Sequence, residues 1–264
     1  MADWKARQMK LLSGFAPEGW ASPDIIALDY PEVPLHLYIT SKVERRSRAI
    51  SCAKEPWTVQ WIRDGVGSGD VFYDIGANVG AYSLVAATRV SATGTVVAFE
   101  PGYASYAHLC DNIVLNGFGE TIVPMPLALS SRTELGRFEY YKLQPGFARH
   151  AVEGSRSEGA DVREKVFKQR APMLRLDDAV SQFGLPAPSH IKLDVDGWEL
   201  EILAGAETTL RQPRLRDILM EIEVVNSDAT TSLLAGAGFT LVDRFQRTVD
   251  GVPVGWWTGL FRRQ

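Results

Sequence analysis

Three short segments carry side chains with chemistry to do. The first is Asp74-Ile75-Gly76-Ala77-Asn78-Val79-Gly80, which follows an apolar run. Gly76 permits a tight turn and a close backbone approach to a ligand, and Gly80 lets a helix start hard against a sheet. The first turn of such a helix offers free N–H groups to a carboxylate or phosphate. Asn78 stands where a pyrophosphate-binding G-x-G-x-x-G would need its second glycine. The loop therefore suits an amino-acid cofactor such as S-adenosylmethionine, whose ammonium Asp74 would accept, directly or through water. The second segment ends in Glu100, twenty residues after Gly80. A carboxylate there accepts hydrogen bonds from both ribose hydroxyls and repels a 2′-phosphate. The third, His190-Ile191-Lys192-Leu193-Asp194, presents Asp194 as the best-placed carboxylate for cofactor or acceptor, with Asp196 expected to cap the next helix.

These residues need elements to hold them at one place. Apolar runs predict strands from Val71 to Gly76, Thr95 to Glu100, Thr121 to Leu129, His190 to Asp194, Ile218 to Glu223, Leu241 to Phe245 and Trp256 to Phe261. Helical patterns are expected from Trp57 to Ile62 and over 78–90, 103–116, 175–183, 198–211 and 229–237. Alternation of this kind implies right-handed crossovers and a mostly parallel sheet covered on both faces. Asp250-Gly251 turns the chain back, so the last strand is expected antiparallel. The expected fold is α/β: a doubly wound, Rossmann-like, mostly parallel seven-stranded sheet with ligands at the strand carboxyl ends. Residues 1–52 read as an N-terminal arm on a main domain of residues 53–264. The patch from Lys42 to Arg48 is expected to be a solvated face, and residues 130–185 an irregular insertion covering the acceptor.

Composition narrows the partners. The 264 residues are 45% hydrophobic and 23% charged, as a globular chain should be. Lys plus Arg number 28 against 32 Asp plus Glu, a net −4, which disfavours nucleic acid. No apolar run reaches a membrane span and no signal-peptide core opens the chain, so a cytoplasmic location without membrane attachment is expected. Two cysteines, Cys52 and Cys110, make no disulfide framework or metal cluster, and no metal is expected. The only protein partner considered is a second copy, as a homodimer.

From Phe72 to Gly80, then Ala98-Phe99-Glu100-Pro101, then Asn112 with Leu115-Asn116, the chain resembles the FkbM-type S-adenosylmethionine-dependent methyltransferases. The resemblance continues from Ile191 to Glu199, through Leu203-Ala204-Gly205-Ala206, to Met220-Glu221-Ile222-Glu223. It departs at Asp196, where Glu is common, and at Trp198, where a small residue is common. The resemblance implies a class I methyltransferase fold that binds S-adenosylmethionine and methylates a hydroxyl oxygen. Asp74, Gly76, Ala77, Asn78, Gly80, Glu100, Pro101, Ala128 and Asp194 form the expected cofactor set. The acceptor is expected to be a small molecule, natural product or glycan.

Methyl transfer from a sulfonium is an in-line displacement; the protein must align the acceptor and, for an alcohol, remove its proton. Asp194 and His150 are the candidates for that role, the second from the glycine-containing stretch Gln144 to His150. His36, His108 and His190 are placed away from the chemistry. Glu221 and Glu223, two apart on one strand, face one side of the sheet. Phe138, Tyr140, Tyr141 and Phe147 are expected to wall an acceptor pocket. An NAD-dependent oxidoreductase and a non-catalytic cofactor-binding domain are the competing readings; the broken glycine pattern and the lack of a Tyr-x-x-x-Lys pair in the acceptor half count against the first.

Overall fold

A computed structural model describes residues 24–148, 150–152, 165–249 and 252–264. Its centre is a seven-stranded sheet built from β3 (Val71–Ile75), β4 (Thr95–Phe99), β5 (Ile122–Met125), β10 (His190–Leu193), β11 (Asp217–Glu223), β12 (Phe239–Phe245) and β15 (Trp256–Arg263). Their order is β12-β15-β11-β10-β3-β4-β5. β15 runs antiparallel to both of its neighbours and every other pairing is parallel. All five residues of β3 and all four of β10 are buried, the continuous apolar pattern of strands covered on both faces. The chain runs outward from β3 through β4 and β5, then restarts at β10 and runs the other way. The strand order thus reverses between β3 and β10, where such sheets open a crevice at their carboxyl ends.

Helices α1 (Ser51–Lys54), α2 (Pro56–Gly65), α3 (Ala81–Val90) and α4 (Tyr103–Asn116) lie with the apolar cluster on one face, which includes Ile62, Leu84, Val85 and Leu109. Helices α5 (Leu176–Phe183), α6 (Glu199–Ala204), α7 (Glu207–Leu210) and α8 (Ser227–Gly236) accompany the second cluster, around Ile191, Ile202 and Met220. The expected helix over 198–211 is therefore two short ones. Gly205 separates them, and a Cβ there would overlap the carbonyl oxygen of Ser130.

The expected strand from Thr121 to Leu129 also divides. Pro126, which has no N–H to give, separates β5 from β6 (Ala128–Leu129), and β6 joins a different sheet. That second sheet corrects the expectation of an irregular insertion. β6, β7 (Glu134–Tyr140), β8 (Ala151–Val152) and β9 (Phe167–Leu174) form four strands in the order β6-β9-β7-β8. Phe138, Tyr140 and Ala171 make its own small core. Tyr140 donates to Gln169 Oε1 (2.5 Å) and accepts from the backbone N–H of Tyr103, which ties the sheet to the start of α4. Residues 153–164, within the expected cover, lie outside the described residues.

The N-terminal segment is a hairpin of β1 (Asp24–Ala27) and β2 (His36–Ile39). Residues 1–23 of the expected arm are not among those described. Asn116 Oδ1 accepts from His36 N–H (2.9 Å) and Asn112 Oδ1 from Tyr38 N–H (2.7 Å), so α4 clamps the exposed edge of β2. The basic patch is not wholly a solvated face. Glu44 is fully buried, accepts from the N–H groups of Thr40 and Ser41, and lies 2.5 Å from Nδ1 of the buried His108. Strands β13 (Thr248–Val249) and β14 (Val252–Pro253) form a short additional pair ahead of β15, while the expected turn at Asp250-Gly251 lies outside the described residues. Among the described residues no helix is long and apolar enough to cross a membrane.

Candidate active site

The loop after β3 folds as its residue types require. Gly76, Asn78 and Gly80 adopt φ of +84°, +52° and +87°, the left-handed region that costs glycine little and asparagine less than most. The N–H groups of Gly76 and Ala77 both donate to Phe99 O at 3.0 Å, closing the loop against β4. A Cβ on Gly76 would overlap the carbonyl oxygen of Asp194, so only glycine lets the β3 and β10 ends meet this closely. Asn112 Nδ2 donates to Val79 O at 2.8 Å, which connects the loop to the same asparagine that holds β2. Asn78 Nδ2 donates to Phe147 O at 3.1 Å, a tie to the insertion that the spacing alone did not suggest.

Glu100 stands at the end of β4. Its carboxylate accepts from the N–H of Asn78 (2.8 Å) and of Gly102 (2.7 Å). Burial outweighs those bonds and raises its pKa to about 7. Asp74 corrects an expectation. It has no exposed surface, Ser83 Oγ donates to its Oδ2 at 2.6 Å, and Lys192 Nζ lies 3.7 Å from its Oδ1. It forms the floor under the loop rather than a wall of the cleft, and burial raises its pKa.

Two adjoining cavities open over these strand ends. The smaller is mainly apolar, about 40 Å³, and is lined by Phe99, Pro101, Ala128, Leu129, Ile202 and Trp198 among others. Trp198 Nε1 and His150 Nδ1 are buried there without a hydrogen-bond partner among the described residues. The substitution at Trp198 thus shapes this apolar cavity. The larger cleft, about 550 Å³, runs from Gly76, Asn78 and Glu100 to Asp194 and then outward. It is lined further by Arg48, Lys54, Glu55 and Trp57 from the N-terminal side and Phe245, Arg247 and Trp256 from the C-terminal side. Sequence reasoning missed this outer set, because its members come from segments distant in the chain from every motif. The indole of Trp57 stacks on Phe245 at 5.5 Å between centroids and 9° between planes.

His150 belongs to the donor end of this arrangement. It packs against Phe138, Tyr140 and Phe147, with ring centroids 5.8, 4.8 and 5.5 Å away. Desolvation lowers its pKa to about 4, so it is neutral at neutral pH and a far weaker base than an exposed imidazole. Of the four expected wall aromatics, Phe138, Tyr141 and Phe147 line the cleft, whereas Tyr140 is 1% exposed and structural. His190 is bound between Asp70 and Asp217 at the opposite strand ends, as expected.

Asp194 lies where β10 leaves the sheet, 3.3 Å from Lys192 Nζ. Burial alone would raise its pKa, yet Lys192, with Lys54 and Arg48, lowers it on balance. Lys192 is itself buried; Asp194, Asp74 and Glu55 outweigh its desolvation and keep it charged. At the start of α6, Glu199 Oε1 accepts from the N–H groups of Val195 and Gly197, while Asp196 takes φ +59°. Glu221 and Glu223 both reach the cleft from β11, as their spacing implied. Among the described residues no group of three or more His, Cys, Asp or Glu is placed to hold a metal ion.

The cavities fit a cofactor with a flat heteroaromatic base, a ribose and an amino-acid tail. The apolar cavity carries two unpartnered ring nitrogens for a base, Glu100 faces the cleft beside it, and the Gly76 turn leaves room that a side chain would fill.

Residues 74–241 match the family model described as "Methyltransferase FkbM domain". The chain is 30% identical to 31-O-demethyl-FK506 methyltransferase FkbM of Streptomyces tacrolimicus, over 69% of this chain and 78% of that protein. It is 27% identical to hexuronic acid methyltransferase AglP of Haloferax volcanii, over 69% of each. Among solved structures, it is similar to a putative rRNA methylase from Clostridium thermocellum, with a TM-score of 0.49 and 9% identity over 78% of this chain and 93% of that one.

Proposed function

Since the chain belongs to the FkbM methyltransferase family and is an S-adenosylmethionine-dependent methyltransferase, we propose that it transfers the methyl group to a hydroxyl oxygen of a small molecule or glycan. S-adenosylmethionine, when bound, supplies an electrophilic methyl carbon on a positively charged sulfur. Gly76, Ala77, Asn78 and Gly80 form the turn against which its amino-acid part packs. Glu100 takes the ribose hydroxyls. Pro101, Ala128 and Trp198 line the cavity for the base, and His150 closes that cavity from the insertion. Asp74 acts one layer down, holding Lys192 and Ser83.

The observation that carries the hydroxyl reading is the composition of the outer cleft. Carboxyl groups of Asp194 and Glu221 stand at neighbouring strand ends beside the Gly76 turn, facing aromatic walls from Trp57 and Trp256. Carboxylates accept the proton and hydrogen bonds of an alcohol, and aromatic faces pack against sugar or macrocycle rings. The name of one relative specifies an oxygen position, and that of the other a sugar acid, whose hydroxyl and carboxyl groups both offer oxygen.

The experiment is a screen of hydroxylated metabolites and oligosaccharides with isotope-labelled cofactor, with the methylated atom located by NMR. A labelled methyl ether is expected, and a methyl ester would overturn the hydroxyl reading. A product methylated at nitrogen or carbon would overturn the proposal.

A further inference from the structure

Within the outer cleft Glu221 is a carboxyl group with no hydrogen-bond or ion-pair partner among the described residues. The parallel register sets Leu193 of β10 beside Met220 of β11. Asp194 and Glu221 come next, where strand neighbours stand about 4.8 Å apart. On its other side, Glu221 is opposite Thr258 of β15. All three residues line the cleft. Glu221 makes no hydrogen bond or ion pair among the described residues, and neither of its oxygens is sealed from the cleft. Asp194 differs, since its Oδ2 is occupied by Lys192 Nζ at 3.3 Å. Two carboxyl groups thus share one place in opposite surroundings, the arrangement that divides positioning from proton transfer.

We propose that Glu221 is the catalytic base that takes the proton of the acceptor hydroxyl, with Asp194, ion-paired to Lys192, as the positioning carboxylate beside it. This rests on the hydroxyl reading above. The hydroxyl oxygen attacks the methyl carbon; the C–O bond forms as the C–S bond breaks, and that bond's electron pair stays on sulfur. The hydroxyl proton passes to a carboxylate oxygen of Glu221 and leaves later to water.

The surroundings of Glu221 set its pH dependence. Burial raises its pKa well above the ordinary carboxylate value, and Asp194, Asp196, Glu199 and Glu55 raise it further. Glu223 on its own strand adds to that negative set, while Lys192, Lys54, Arg48 and Arg247 face the same cleft with positive charge. A base whose proton affinity approaches the working pH is more effective than an ordinary carboxylate. The rate should therefore rise with pH as Glu221 loses its proton.

The test uses an acceptor whose methylated oxygen has been located by NMR. The kcat of wild type, E221Q and E221D is followed across pH, with cofactor affinity measured by calorimetry. In wild type, kcat should rise at a pH well above the carboxylate range. E221Q should be slower by roughly 10²–10⁴-fold and flat with pH, E221D should recover part of the rate, and cofactor affinity should be unchanged. Wild-type kcat in E221Q on an oxygen acceptor would overturn the assignment and leave the hydroxyl reading intact. Methylation at nitrogen would overturn both. A second arm needs no acceptor: the carboxyl carbon of Glu221, assigned by difference from E221D, is titrated by ¹³C NMR. A midpoint at the ordinary value, about 4–5, would overturn the assignment even if E221Q did not fold.

Discussion

At the residue scale, the donor end of the site depends on backbone as much as on side chains. Gly76 holds φ +84° with no room for a methyl group. G76A should lower cofactor affinity by at least about tenfold, or about 1.4 kcal/mol, by displacing the loop from Asp194. G119A, at a position with nothing within 4 Å of a built Cβ, should leave it unchanged. Calorimetric titration of both variants is the check, and equal affinities would remove the close-approach argument. Glu100 offers a finer test, because its pKa is raised to about 7 by burial. The ribose-accepting carboxylate then forms as pH rises through neutrality, so affinity should increase from pH 6 to pH 8. E100A should weaken binding by roughly 1–3 kcal/mol, the cost of leaving charge-assisted bonds unmade, and should remove that pH trend. His150 should behave unlike an exposed catalytic histidine. With its pKa lowered to about 4, no step in rate near pH 6.5 should come from it. H150A should lose cofactor affinity and keep its kcat at saturating cofactor; a loss confined to kcat would restore it as a base.

At the element scale, the contact between the N-terminal segment and α4 is built on a buried charge. Glu44 reaches across to His108 and accepts from two backbone N–H groups. Burial would raise its pKa, but His108 and those bonds prevail and lower it. A depressed carboxylate contributes stability that is complete above its unfolded value and is lost as pH falls through the folded one. Wild type should therefore lose this contribution in acid, below about pH 4.5. E44A should cost about 3–5 kcal/mol at neutral pH, the penalty of stranding a buried partner, and should show less acid sensitivity. Chemical denaturation at pH 7 and pH 4 measures both effects. Glu199 has the opposite sign. It ties Val195 and Gly197 to α6 while burial raises its pKa to about 7. A raised carboxyl favours folding while protonated, so this part of the stability should decline as pH rises from about 4.5 to about 7. E199Q keeps an acceptor oxygen and should flatten that decline. An unchanged slope would show that another group sets it.

At the scale of the whole molecule, the two sheets meet over one crevice. β7 and β9 pair along seven positions and hold a buried aromatic core, so this part of the insertion is a wall. Amides of β7 and β9 should exchange slowly without ligand, while Phe147 and Ala148, tied to Asn78, should slow further when cofactor binds. Cofactor at about 100 times its Kd should stabilise the fold by about 2.7 kcal/mol and raise Tm by several degrees. Rapid exchange along β7 and β9 in the free protein would show that this sheet is not a fixed wall.

Much of this was legible in the residues alone. The strand-to-helix alternation and the antiparallel last strand follow from periodicity and connection length, because short-range patterning decides which faces are buried. The glycine turn, Glu100 and Asp194 were readable because each sits within a few residues of the strand end that positions it. Elsewhere local pattern was overruled. Pro126 divided a strand, Gly205 divided a helix, and Glu44 left a charged stretch to become a buried partner of His108. Asp74 looked like a ligand contact, yet it lies beneath the loop, since a strand residue's depth depends on what packs over the sheet. The outer part of the cleft was invisible to sequence, being assembled from Arg48, Trp57, Phe245 and Trp256, residues up to 208 positions apart. The proton affinities of His150 and Glu221 were equally hidden, because desolvation and neighbouring charge belong to the folded surroundings and not to the residue type. Sequence determined the sheet and the donor loop through local rules; tertiary structure decided which charges are buried together, and so which groups can move a proton.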